Sequence, residues 1–374
     1  MPPSGGTHLL KIFDGMGTVS LIALIVILIV IFVLLIIIRL LGRPEKEKIR
    51  KPYVENDEDT LDPARNLPPT EETITIRAAV ANNKGRIRGN NEDNFYLNGT
   101  FMARRKMDEG ASVTSSSQDS VQMYAVCDGM GGTDCGEDAS CRAVTELSAR
   151  KQEHRQMVNP RELTSVLRAI SDKINKDAVQ KNQKSGTTIA MLAIADGQAT
   201  LANVGDSRIY RFRGKKLTQV SVDHSRVQRM ISMGILTPEQ AKKDPGRHVI
   251  TQYLGMPSDI KISPYIVPNE ELRNNDVYLL CSDGLTDMVE DEQIEAILRA
   301  KDKPLEAVQE LLKTALNNGG RDNVTVMVLR VMKDANAAGS LKKRSTKEMA
   351  IMVMQILTGA GILAVLADFI HYLI

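Results

Sequence analysis

The chain has 374 residues, enough for one large domain or two small ones around a real hydrophobic core. Its 48 lysines and arginines nearly balance 46 aspartates and glutamates, and a net charge of +2 excludes the basic footprint of a nucleic-acid binder. Four cysteines (Cys127, Cys135, Cys141 and Cys281) contain no CxxC pair and read as reduced thiols of a cytosolic domain rather than a disulfide framework.

In chain order, residues 1–18 are expected as a short extracytoplasmic segment. Residues 19–38 then carry no charge over 20 positions, which at about 1.5 Å per residue covers a hydrocarbon core of about 30 Å. This predicts a transmembrane helix over 19–41. A cleaved signal peptide is the rival, but the run exceeds an ordinary h-region and no small-residue cleavage site follows it. Residues 42–73, rich in Pro, Glu, Asp, Lys and Arg without apolar periodicity, predict an extended linker.

At the far end, residues 334–348 predict a basic linker and 349–372 a second span. A buried amphipathic helix is the alternative there, although the apolar residues occupy all faces rather than a stripe. Arg39, Arg43, Lys46, Lys48, Arg50 and Lys51 follow the first span, and Lys342, Lys343, Arg344 and Lys347 precede the second. By the positive-inside rule the middle of the chain is cytoplasmic and the protein is a two-span cell-membrane protein in contact with the lipid bilayer. The sequon at Asn98-Gly99-Thr100 then reads as an ordinary turn.

Between the linkers, strands are predicted at 74–80, 122–127, 188–195, 199–204, 207–213, 276–281 and 324–331 from β-branched or alternating apolar runs ending in Gly, Asp or Asn. The polar stretch 108–120 reads as a long mobile hairpin loop. Asn159-Pro160 predicts a helix start, followed by Leu163, Val166, Leu167, Ile170 and Ile174 at helical spacing. Pro304 opens another helix, which Asn317 to Gly320 stop. Clustered strands and helices point to an α+β fold with a largely antiparallel sheet.

Asp128 ends one strand-like run and Asp283 another, each followed by glycine; Asp322 stands just before a third run. Were the first two strands parallel neighbours and the third antiparallel to them, all three carboxylates would emerge at one sheet edge. Converging carboxylates repel and need a cation or protons. Oxygen ligation selects hard ions such as Mg²⁺ or Mn²⁺, and no His or Cys pattern offers a zinc site. The segment 128–132 reads as a loop in which Gly129 lets a backbone carbonyl reach the metal while Gly131 and Gly132 keep the approach open. An isolated Asp-Gly pair is more simply a hairpin turn. Glu92 and Asp93 add a second acidic cluster beside Arg88, which reads equally as an anion-binding residue or a surface ion pair.

In order, the runs RGNNED, DGMGGTDCGEDAS, SGTTIAMLAI, LANVGDSRIYRF, VDHS, ITQYLG, CSDGLTDMV and GGRDNVTVMV resemble the metal-dependent protein phosphatases of the PPM family, the type 2C serine/threonine phosphatases of bacterial type. The resemblance covers essentially residues 74–332, within a domain expected over 74–333. It implies a central antiparallel β-sandwich flanked by helices, the PPM phosphatase fold, with two Mn²⁺ or Mg²⁺ ions at one end. By position, Asp128 resembles the bridging ligand, Gly129 the carbonyl ligand, Asp283 and Asp322 further direct ligands, and Glu92 and Asp93 the acids that hold metal-bound waters. Arg88 resembles the phosphate-binding arginine. Asp206 matches the acid of a third, weaker metal, supported by Asp287; without the family it reads as a hairpin-turn residue.

The implied substrates are proteins phosphorylated on serine or threonine, with a cognate kinase as the opposing partner. The implied reaction is attack on phosphorus by a water activated between the two ions. Met130 departs from eukaryotic members, which carry histidine there, so a water rather than a side chain is the expected acid; His224 is the nearest motif histidine. Residues 226–248 match a flap near the site, and Thr187 and Thr188 read as structural strand residues. The alternative function is a catalytically silent phosphoprotein-binding or signalling domain.

Overall fold

The computed structural model describes residues 73–131 and 135–334 of the chain. Both predicted spans and most of the two linkers lie outside these residues. Among the described residues no helix is long and apolar enough to cross a membrane.

Thirteen strands are described, and every registered pairing is antiparallel. One six-stranded sheet has the order β10 (Lys216–Gln219), β9 (Arg208–Arg213), β12 (Val277–Cys281), β13 (Val324–Asp334), β1 (Thr73–Asn83), β3 (Ala111–Ser117). A five-stranded sheet runs β11 (Tyr265–Val267), β8 (Gln198–Val204), β7 (Ile189–Ala195), β4 (Val121–Cys127), β2 (Asn94–Leu97). A small ribbon pairs β5 (Gly129–Gly131) with β6 (Ser185–Thr187).

Side chains alternate faces along a strand, and here both faces are apolar. In β12, Tyr278 and Leu280 point into the core shared by the two large sheets, whereas Val277, Leu279 and Cys281 point outward to helices. In β4, Tyr124 and Val126 join that shared core while Met123, Ala125 and Cys127 face helices on the other side. These helices are α1 (Gly136–Ala149) and α2 (Pro160–Gln180) over the five-stranded sheet. Over the six-stranded sheet lie α5 (Asp283–Thr286), α6 (Asp291–Ala300) and α7 (Pro304–Asn317). The short helices α3 (Arg226–Ser232) and α4 (Pro238–Ala241) belong to a separate excursion. The result is a β-sandwich between helical layers, the expected fold class.

The seven predicted strands and both predicted helices form. Asn159 caps α2 by accepting the Arg161 N–H at 2.9 Å, with Pro160 in the first turn. Helix α7 ends as Gly319 and Gly320 take φ of +134° and +55°. Residues 111–117 are not the expected loop but the edge strand β3, paired with β1 from Ile76↔Ser117 to Asn82↔Ala111. Its Ser112, Thr114 and Ser116 face solvent, so serine-rich composition masked an edge strand that packs on one face only. The run after Asp128 is also not a loop, since Gly129–Gly131 pair with Ser185–Thr187.

Candidate active site

The carboxylates converge at one end of the sandwich, by a route different from the expected one. Strands β4 and β12 belong to opposite sheets rather than to one. Asp128 therefore leaves the five-stranded sheet and Asp283 the six-stranded sheet, and the two meet across the gap. Asp322 precedes β13, the antiparallel neighbour of β12, as expected.

Arg88, Glu92, Asp128, Gly129, Asp206, Asp283 and Asp322 line one cavity of about 610 Å³. Asp93 stands behind its wall, fully buried. Arg247, His248, Tyr253, Asp287 and Arg321 also line the cavity, as does Met130, which offers no proton donor. Gly132 lies outside the described residues.

Asp128 is clamped by Thr187, the last residue of β6, and by Thr188, which joins β6 to β7. Its N–H donates to Thr188 Oγ1 at 3.0 Å, while its carbonyl accepts from the Thr188 N–H and the Thr187 hydroxyl, each at 2.8 Å. Thr188 Oγ1 in turn meets Ser207 Oγ at 2.6 Å. Expected only as strand residues, both threonines hold the central acid. Their signal was hidden because hydroxyls serve a strand edge and a backbone clamp equally well.

Gly129 packs so closely that a Cβ there would lie 2.2 Å from the Gly136 carbonyl oxygen and 2.4 Å from that of Glu92. Its glycine thus serves the junction of three segments, beyond the expected access to a ligand. The Gly129→Ala variant is expected to lose about 3 kcal/mol or more of stability, since backbone cannot yield as a flexible side chain can; denaturant midpoints measure this.

Asp206 follows Gly205 (φ +105°) in the turn joining β8 to β9, and it is buried with Oδ1 unpaired. The Gly205 N–H donates to His224 Nδ1 at 3.1 Å, and burial pulls His224 below its usual pKa, favouring the neutral imidazole that accepts this bond. His224 holds the turn and does not line the cavity. His248 does line it, with Nδ1 3.9 Å from Asp283 and 3.6 Å from Asp287. Among the described residues these three form the group whose ligand atoms lie within 4.8 Å of one another. Sequence reasoning missed His248, because no local spacing ties it to Asp283.

Arg88 bonds Asp322 at 2.6 Å, the pair being part-exposed on the cavity wall. This is an ion pair, but inside the site. Residues 226–248 lie between Ser225 and Ile250, which bridge to one another, and expose Met233 and Ile235.

The electrostatics follow from crowding. Burial first, then repulsion by Asp93, Asp283, Asp206 and Asp322, pushes the Asp128 carboxyl well above the usual carboxylate range. Burial and Asp283 likewise raise Asp206. Glu92 rises through burial and Glu137, and Asp287 through burial and Asp283. Asp93, fully enclosed, is pushed up to about 7 even though Ser282 and Thr325 bond its charged form.

Two tests bear on a metal. Asp93 Oδ1 and Asp206 Oδ1 are buried without a hydrogen-bond partner, and such oxygens favour a cation or a cation-held water. The acids and the Gly129 carbonyl also offer oxygen, the donor that hard divalent ions take. The residues present fit such ions.

The protein phosphatase 2C family model matches residues 88–229. The serine/threonine phosphatase stp of Listeria monocytogenes is 32% identical over 260 residues, covering 68% of this chain and 95% of its own. The serine/threonine phosphatase PstP/Ppp of Mycobacterium tuberculosis has a crystal structure similar to this one at a TM-score of 0.58, with 31% identity over 69% of this chain and 99% of that one. The catalytic domain of PstP in complex with two manganese ions is similar at a TM-score of 0.55, with 30% identity over 70% of this chain and all of that one.

Proposed function

Since the chain belongs to the protein phosphatase 2C family and is a protein serine/threonine phosphatase using Mn²⁺ or Mg²⁺, we propose that it acts from the cell membrane on phosphoserine and phosphothreonine of cytoplasmic or membrane proteins, opposing a cognate kinase. Support for the anchor comes from the uncharged run at 19–38 and the basic clusters that flank residues 52–341. In this reading residues 19–41 and 349–372 span the bilayer, 42–73 and 334–348 are linkers, and 74–333 form the cytoplasmic enzyme.

One observation carries the site assignment: acids from remote segments share a single cavity, where burial first and their mutual repulsion second raise the Asp128 carboxyl above the usual range. Asp128, the Gly129 carbonyl, Asp283 and Asp322 would hold two ions, Glu92 and Asp93 the waters around them, and Asp206 with Asp287 a weaker third. Bound there, the ions supply Lewis-acid charge and make water nucleophilic at neutral pH. Arg88 exchanges Asp322 for a phosphoryl oxygen, which its half-exposed guanidinium can reach. Thr187 and Thr188 keep the Asp128 backbone fixed throughout, so the central carboxylate needs no reorganisation.

The full chain is assayed on a phosphothreonine peptide with Mn²⁺, Mg²⁺ and chelator. Turnover is expected with metal and none with chelator. The Arg88→Ala variant is expected to lose about 10- to 100-fold in kcat/KM, the worth of a charge-assisted hydrogen bond. Peptide binding without turnover under every metal would instead support a silent phosphoprotein-binding domain.

A further inference from the structure

Behind the cavity wall, three central strands of the six-stranded sheet place a buried polar cluster against Asp93. Asn82 and Thr325 are register partners across β1 and β13. Ser282 directly follows β12, donating its N–H to the Thr325 carbonyl at 3.1 Å and accepting the Thr325 N–H on Oγ at 3.0 Å. Asn82, Asn91, Asp93, Ser282 and Thr325 are all essentially inaccessible to solvent.

With Asp93 ionised, as a neighbouring cation requires, its oxygens only accept and the directions of these bonds are determined. A hydroxyl has one proton to donate. The Ser282 hydroxyl already accepts from Thr325, so its proton goes to Asp93 Oδ2 at 2.7 Å. The Thr325 hydroxyl accepts from Asn82 Nδ2 at 2.8 Å, so its proton also goes to Asp93 Oδ2, again at 2.7 Å. Asn82 cannot flip without loss, because its Oδ1 accepts from Asn91 Nδ2 at 2.6 Å. Oδ2 therefore receives two donors, whereas Oδ1 is buried with none.

We infer that Ser282 and Thr325, aligned by Asn82, are positioning residues that fix the Asp93 carboxylate so that Oδ1 alone is offered to the divalent-cation site. The terminal torsion of aspartate is intrinsically broad, and without the two hydroxyls either oxygen could turn inward. Loss of a group bonded to a metal-site carboxylate typically weakens metal binding by about 10- to 100-fold. The inference rests on the metal-dependent reading above.

The test is Mn²⁺ binding to the full chain, followed by the electron paramagnetic resonance of free Mn²⁺, with thermal unfolding in chelator measured in parallel. Thr325→Val is expected to bind Mn²⁺ about 10- to 100-fold more weakly, and Thr325→Ser, which restores the hydroxyl, to recover most of that loss. A purely structural role would lower the unfolding midpoint and leave the affinity of the folded chain alone. Folded Thr325→Val with wild-type affinity overturns the inference. If that variant does not fold, Ser282→Ala decides: weaker binding supports the relay, unchanged binding overturns it. A wild-type chain that binds no Mn²⁺ overturns the metal reading and this inference together, a result distinct from unchanged affinity in the variants.

Discussion

Asp128→Asn is expected to abolish metal-dependent turnover and, in chelator, to make the protein more stable than the wild type. Losing the central ligand removes charge stabilisation of the phosphoryl group. Removing one hydrogen-bond donor of an oxyanion hole already slows reactions by about 10²- to 10³-fold, and a metal ligand supports more charge than one such donor, so a fall of at least ~10³-fold in kcat is expected here. The gain in stability has a separate origin. Asp128 is repelled by Asp93, Asp283, Asp206 and Asp322, and an isosteric neutral amide ends that repulsion while its backbone clamp by Thr187 and Thr188 persists. Peptide turnover and chelator-treated melting measure the two effects. A variant that keeps wild-type turnover, or melts below the wild type in chelator, contradicts the assignment of Asp128 as the centre of a metal cage.

Strands apolar on both faces were legible, since runs such as 324–329 carry continuous β-branched or apolar residues that only a doubly covered strand needs. The edge strand Ala111–Ser117 was not, because its partner supplies hydrogen bonds without requiring an apolar exposed face. The ribbon at Gly129–Gly131 escaped for a related reason: glycines show no strand preference, and pairing with Ser185–Thr187 is decided by tertiary packing. Asp-Gly pairs after strands pointed to the acids, and the family resemblance gave them roles. Their meeting across two sheets could not be read, because strand-end position does not say which sheet a strand joins. His248 was invisible for the same reason that Ser282 and Thr325 were. Each acts through a neighbour distant in sequence, and a lone histidine or hydroxyl carries no spacing signal.

The same crowding sets how stability depends on pH when no metal is bound. Asp93 has a folded pKa of about 7 against an ordinary 3.8, chiefly through burial. A carboxyl raised in the folded state binds its proton more tightly there than when unfolded. Its contribution is therefore fully present below about pH 4 and is lost as pH rises toward 7. Three pKa units correspond to on the order of 4 kcal/mol for this fully buried group. Asp128 and Asp206 shift in the same direction and add to it. His154 and His224 oppose this, since burial lowers both and their neutral rings add stability as pH rises toward 6.5, but they are two groups against three buried acids. The other groups with lowered pKa, Asp138, Glu239, Glu271 and Glu306, are part-exposed or on the surface, where screening leaves little effect. In chelator the unfolding midpoint is expected to fall by on the order of 10 °C between pH 5 and pH 8. With Mn²⁺ the trend reverses, because metal competes with protons for the same oxygens and binds best once they are deprotonated. Melting curves at both pH values, with and without Mn²⁺, decide the matter. A chelated chain that grows steadily more stable toward pH 8 would mean that the buried acids are neutralised by protein cations, and that the cavity was not built around an ion.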